Sequence, residues 1–117
     1  MDLALAPAVE LLAKLRARDV SARELTELYL ERIERLNPQV NAVVTLDAEG
    51  ALKRADELDG RHDSVGPLHG LPITIKDQFE TAGLRTTCGA EPYRDYVPKQ
   101  NAAATGHAGT VHNGAGY

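Results

Sequence analysis

Apolar residues recur along the first half of the chain at the three-to-four spacing that lines one face of a helix. Between Pro7 and Arg18, Val9, Leu12 and Leu15 fall on this spacing, with Leu11 beside them. Pro7 suits a first turn, where its missing N–H would have no partner anyway. The stretch "VSARELTELYLERIERLNP" predicts a second, longer helix. Ser21 and Glu24 form a capping box at its start: the serine hydroxyl accepts from the Glu24 N–H while the glutamate reaches back, with Val20 and Leu25 as the flanking apolar contact. Its buried stripe is Leu25, Leu28, Tyr29, Ile33 and Leu36. Asn37-Pro38 is expected to stop it, because a residue before proline is steered away from helical geometry.

The period then changes. "VNAVVTL" at residues 40–46 is short and β-branched, which predicts a strand. Asp47 can cap a third helix running through Asp59 with Ala51, Leu52, Ala55 and Leu58 inward. Gly50 weakens its first turn by up to about 1 kcal/mol relative to alanine. The turn-rich "GRHDSVGPLHGLP" leads into "ITIKD", a second predicted strand ending at Lys76. Helix, helix, strand, helix, strand is an α/β pattern. Packing of the first two helices is expected through Leu12, Leu15, Leu25, Leu28 and Ile33.

Composition narrows the picture without redrawing it. With 117 residues, 43% hydrophobic and 26% charged, the chain has the length and make-up of one globular domain. A net charge of -4 offers no cluster of Lys and Arg for phosphates, so no nucleic-acid partner is expected of this segment. The opening "MDLALAPAVELLAKL" lacks the positive start of a signal peptide, and no run approaches the roughly 20 apolar residues of a membrane helix. The lone Cys88 fits a reducing, cytoplasmic setting. Past Pro98 the chain turns to small residues and glycine in "KQNAAATGHAGTVHNGAGY", with too little apolar surface to offset the entropy of ordering. The chain therefore divides into residues 1–102 and a tail, 103–117, expected to be disordered.

The lysine has an unusual frame. In "GPLHGLPITIKDQFETAGLRTTCGA" it is preceded by Gly70-Leu71-Pro72 and followed by Asp77, Thr81-Ala82-Gly83 and Thr86-Thr87-Cys88-Gly89. This order resembles the first block of the amidase signature family, and the upstream "VSARELTELYLERIERLNPQVNAVV" is also similar to that family. The likeness covers about residues 8–102. It implies the N-terminal fragment of an α/β/α sandwich and hydrolysis of a carboxamide carbon–nitrogen bond through a serine acyl-enzyme. The family includes the subunit that releases ammonia from glutamine for a transfer-RNA-dependent amidotransferase. The resemblance makes Lys76 the general base, with Asp77, Thr86, Thr87 and Gly89 shaping its surroundings, a small-molecule amide as substrate, and no cofactor or metal.

A lysine base must be neutral, whereas an ordinary lysine loses its proton only near pH 10.4, so Lys76 is expected to be mostly buried at the end of its strand. The family's two catalytic serines lie downstream of the lysine. The only serines here, Ser21 and Ser64, precede Lys76 and are explained as a helix cap and a turn residue. Ala90 stands where the family usually has serine. The pattern departs from the family near Ala103, as a truncated or frame-shifted reading frame would, and the fragment is expected to be inactive alone. Strand edges left without partners would favour self-association into homo-oligomers.

Other chemistry competes for the same residues. Cys88 with His69 or His62 could form a nucleophile pair, but a small buried cysteine in a turn accounts for it. His107 and His112, five apart in a glycine-rich stretch, do not present ligands on a helix face. The alternating Glu and Arg residues of the second helix form a solvated face. Outside catalysis, the alternative is a non-catalytic remnant or helical interaction module.

Overall fold

The computed structural model describes residues 2–107. Four α-helices lie along them: α1 (Ala8–Ala17), α2 (Ala22–Val40), α3 (Ala48–Asp59) and a short α4 (Ala103–His107), with single 3-10 turns at Leu3–Leu5 and Glu91–Tyr93. The predicted tail therefore opens with a helix, and residues 108–117, on which the rest of that expectation falls, lie outside the described residues.

The capping box forms as the spacing requires. The Glu24 N–H donates to Ser21 Oγ at 3.0 Å and the Ser21 N–H donates to Glu24 Oε2 at 2.8 Å. The two backbone donors between them, Ala22 N and Arg23 N, are taken by Asp59 Oδ1 and Oδ2 at 2.7 and 2.9 Å. Every N–H of the first turn of α2 thus has a side-chain acceptor, and one carboxylate sits on the positive end of the helix dipole. Because Asp59 ends α3, the same contact sets α3 against α2. Ala22 and Thr26 on α2, and Ala51 and Ala55 on α3, are all buried; these small side chains allow the two backbones to approach closely.

The apolar core is Leu11, Leu25 and Leu71, with Leu12, Leu15, Leu28, Tyr29 and Ile73 packed around them. Leu25 is fully enclosed. On α1 the buried face runs through Leu11, not Val9, which is 75% exposed. Two residues apart is about 200° round a helix, so burying Leu11 against Leu25 and Leu71 turns Val9 outward. Ile33 joins an open cleft instead of this core.

Two local expectations need correction. Helix α2 does not stop at Asn37-Pro38 but continues to Val40, with Asn41 closing it in a left-handed conformation. Asn37 offsets the strain of preceding proline: its side-chain amide donates to the Val43 carbonyl and accepts from the Val43 N–H, both at 2.9 Å. At Gly50 a methyl group would sit 2.1 Å from the Asp47 carboxylate that caps α3. The glycine gives up helix propensity and leaves room for the cap.

The α/β alternation expected of the fold, and the sandwich of strands it implied, are not present among the described residues, where a single bridge pairs Thr81 with Leu84. A strand needs a neighbour for its N–H and C=O groups. Around residues 41–46 side chains take that place: Asn37 holds Val43, and Arg85 donates to the Val44 carbonyl at 3.0 Å.

Leu25→Ala is expected to cost about 2–5 kcal/mol in urea unfolding, and Leu28→Ala, at a half-buried position, clearly less; equal costs would misplace the core. Glu24 gives a pH signature. The hydrogen bond from the Ser21 backbone holds its carboxyl below the usual glutamate value. A lowered folded-state value stabilises the fold above the unfolded-state value and is lost as pH falls through the folded one. From about pH 5 to about pH 3 the parent should therefore lose more stability than Glu24→Gln; parallel curves would contradict the cap.

Candidate functional site

The route into the lysine block is set by Gly70. Its φ of +80° suits glycine, and an added methyl would lie 3.2 Å from the Ala22 side chain and 3.4 Å from Leu15. The chain can therefore pass close over α1 and α2, and Leu71 enters the core immediately afterwards. Core packing at Leu71 thus fixes where residues 73–77 emerge.

Lys76 stands at the end of this segment, and the chain turns at once, with the Phe79 N–H donating to the Lys76 carbonyl at 3.0 Å. Asp77 is buried, 6% exposed, and reaches ten residues ahead. Its Oδ1 accepts from the Thr87 N–H at 2.8 Å, its Oδ2 from the Thr87 hydroxyl, and its carbonyl from the Cys88 N–H at 2.7 Å. The Thr87 hydroxyl in turn accepts from the Gly89 N–H at 3.2 Å. Cys88 and Gly89 are consecutive left-handed residues, φ 54° and 66°, which folds the turn back toward the lysine segment. Asp77, Thr87 and Gly89 are therefore brought together as one hydrogen-bonded unit.

Thr86 supports this unit from outside. It is buried, its N–H donates to the Tyr96 carbonyl at 2.9 Å and its hydroxyl to the Leu84 carbonyl at 3.2 Å. The Tyr96 hydroxyl donates to Glu80, and holding that proton pushes Tyr96 above the usual tyrosine value. Arg85 is the residue that sequence reasoning missed. Its guanidinium donates to the carbonyls of Val44 and Arg94 at 3.0 and 3.2 Å, and its own carbonyl accepts from Thr45 at 3.3 Å. These bonds tie residues 44–45 to the loop that carries the threonines. Its partners lie 9 and 41 positions away, beyond any local pattern.

The expectation for Lys76 itself is not met: its side chain is exposed, and no strand leads to it. The recess it shares with Thr45, Arg85 and Thr86 measures only about 10 Å³, at the limit of one water molecule. The large cleft, about 560 Å³, lies on α2, and Lys76 is not among its lining residues. The recess at the lysine is too small for a substrate.

The rival readings fare differently. Cys88 lies in the turn but is exposed, not buried. His69 has both ring nitrogens engaged: Nδ1 accepts from the Val65 N–H at 3.1 Å and Nε2 lies 3.1 Å from the Leu58 carbonyl. It anchors the loop to the end of α3. Ser64 closes its own turn through Gly66, at 2.8 Å to the carbonyl. Among the described residues no cluster of His, Cys, Asp and Glu is grouped for a metal ion, and no helix is long and apolar enough to cross a membrane. His112 lies outside the described residues.

Comparison with known proteins decides the family. The family model described as amidase matches residues 24–108, well over half the chain. The chain belongs to the amidase family. A glutamyl-tRNA(Gln) amidotransferase subunit from Acidothermus cellulolyticus is 42% identical over 104 residues, which span 86% of this chain and 21% of the relative. A solved bacterial aryl acylamidase of the amidase signature enzymes aligns over 95% of this chain and 24% of its own, with 26% identity and a TM-score of 0.78. A fatty acid amide hydrolase aligns over 94% and 20%, with 25% identity and a TM-score of 0.83. This amidase-family chain thus spans about a fifth of the length of the curated relatives it matches.

Asp77→Ala leaves the Thr87 N–H and hydroxyl without their carboxylate acceptor, while the Cys88 N–H keeps the backbone carbonyl, and should destabilise the chain by about 1–3 kcal/mol. Thr87→Ala should add little once Asp77 is gone. Additive losses in urea unfolding of the two single variants and the double variant would show that the contact does not hold the turn.

Proposed function

We propose that this chain carries the general base of an amidase-signature hydrolase that cleaves a carboxamide bond through a serine acyl-enzyme. The observation that supports it best is the Asp77–Thr87 unit, which frames Lys76 within residues matched by the amidase model. Lys76 takes the nucleophile's proton, Asp77 and Thr87 fix the backbone beside it, and Thr86 and Gly89 hold the turn. The substrate is a small-molecule amide.

The serine is not supplied by these residues. Ser21 is engaged as the α2 cap and Ser64 in its turn, so neither hydroxyl is placed for attack. Lys76 is exposed among the described residues. Both the nucleophile and the cover over the ammonium come from the remaining length of an amidase-family domain. The glutamyl-tRNA(Gln) amidotransferase relatives favour a narrower version, in which glutamine is the amide and the released ammonia passes to an aminoacylated transfer RNA.

Ammonia release from a carboxamide panel that includes glutamine tests the reading. The purified chain should give none above the blank. Joined to the remaining segments of the Acidothermus cellulolyticus relative, it should hydrolyse at least one amide, and Lys76→Ala should lower that rate by roughly 100- to 10,000-fold. Turnover by the chain alone, or a Lys76→Ala chimera as active as its parent, would contradict the assignment.

A further inference from the structure

We infer that His69 is a pH-operated latch on the loop between α3 and the lysine segment: neutral, it clips the Val65 amide to the end of α3; protonated, it releases that amide and turns to the Asp63 carboxylate. Two contacts fix its neutral form. Nδ1 accepts from the Val65 N–H at 3.1 Å, and Nε2 lies 3.1 Å from the Leu58 carbonyl. A backbone N–H can only donate and a carbonyl can only accept, so the ring proton sits on Nε2 and the Nδ1 lone pair faces Val65. A second proton can enter only at Nδ1, where it meets the Val65 N–H donor to donor. Histidine is the side chain whose ordinary value puts that event between pH 5 and 8.

The two arms respond differently to that proton. Leu58 lies in the last turn of α3, where the helix dipole favours a cation, so the Nε2 arm holds in acid. The Val65 arm does not, and its freed N–H has water to turn to, because Val65 is 42% exposed. Asp63 is the acceptor for the new Nδ1–H. Its carboxyl is held below the usual aspartate value, first by the hydrogen bond from Arg61 and least by the charge of His69, so it is ionised wherever an ordinary imidazole titrates. The other charged groups around the loop are engaged. Arg61 pairs with Asp63 at 2.8 Å, and Arg16 and Arg18, from the end of α1, donate to the Pro67 and Arg61 carbonyls at 3.3 and 3.2 Å. On α3, both Asp59 oxygens are taken by the α2 N–H groups, and Glu57 pairs with Arg54 at 3.1 Å. His62, exposed in the same loop, is the second imidazole that a test must separate.

The release stays local. The His69 N–H donates to the Gly66 carbonyl at 3.2 Å and the Leu71 N–H to the Leu68 carbonyl at 3.0 Å, and neither bond involves a titrating atom. Gly70 keeps its close passage over Ala22 and Leu15, and Leu71 keeps its place in the core. Acid therefore frees residues 63–66 and leaves the entry to Lys76 where it is. The latch lets a surface loop open while the frame of the lysine stays shut, and it holds whether or not the hydrolase reading does.

Nitrogen NMR of the full chain between about pH 8 and pH 5 tests the latch. At the upper end His69 should show the Nε2-protonated tautomer. As the ring gains its second proton the Val65 amide signal should move in step, and its protection from exchange, taken relative to an unstructured chain at the same pH, should fall by about tenfold. Protection at Leu71 should stay as it was. His69→Gln should abolish the pH response at Val65, His62→Gln should preserve it, and Asp63→Asn should move the release to lower pH. A proton on Nδ1 at the upper end, a Val65 amide that stays still while His69 titrates, a response that survives His69→Gln, or release at the parent's pH in Asp63→Asn would overturn the inference. The tautomer and the Val65 signal are read on the parent chain, so the first two outcomes decide the matter even where a variant fails to fold.

Discussion

The lysine-bearing half of this chain depends on one buried carboxylate. Asp77 sits at 6% exposure and accepts from both the backbone and the hydroxyl of Thr87. Burying a carboxylate is costly unless its oxygens are hydrogen-bonded, so the turn must close over it, and the left-handed pair Cys88 and Gly89 supplies the backbone geometry that lets it close. Everything from Thr81 to Ala102 is then hung on this closure: Thr86 and Tyr96 bond across the loop, Gly83 to Pro98, and Ala102 to Glu80. The arrangement forms within the chain's own 117 residues and presents Lys76 at its edge.

The other half is organised by the N-terminus of α2. Ser21, Glu24 and Asp59 between them occupy the donors of its first turn, and the last of these comes from the far end of α3. A surface ion pair between Arg23 and Asp56, 2.8 Å long, lies nearby, but exposed pairs of this kind contribute little. The two halves meet at Leu71, which packs into the core at the moment the chain turns toward the site, and again at Arg85, which ties the segment after α2 to the threonine loop. Position at the lysine is thereby inherited from helix packing.

What could be read from the sequence was what is local. Ser21 with Glu24 and Asp47 with Gly50 are contacts three residues apart, and both formed where the spacing placed them. The framing glycines and threonines around Lys76 were legible as a motif, which led to the family. The strands were not, because a β-branched run becomes a strand only beside a partner, and none of the described residues offers one. Val9 was misplaced because the apolar positions of α1 fit more than one face, and the choice was made by Leu71, 60 positions away from Leu11 in order along the chain. Proline's veto at Pro38 failed because Asn37 found Val43.

That a preformed lysine frame persists in this chain is best tested by hydrogen exchange at single amides. The N–H groups of Thr87 and Cys88, both bound to Asp77, should exchange far more slowly than those of Ile73, Thr74 and Ile75. Exchange at Thr87 and Cys88 as fast as at residues 73–75 would mean that the turn is open in solution and the frame does not exist without the rest of the domain.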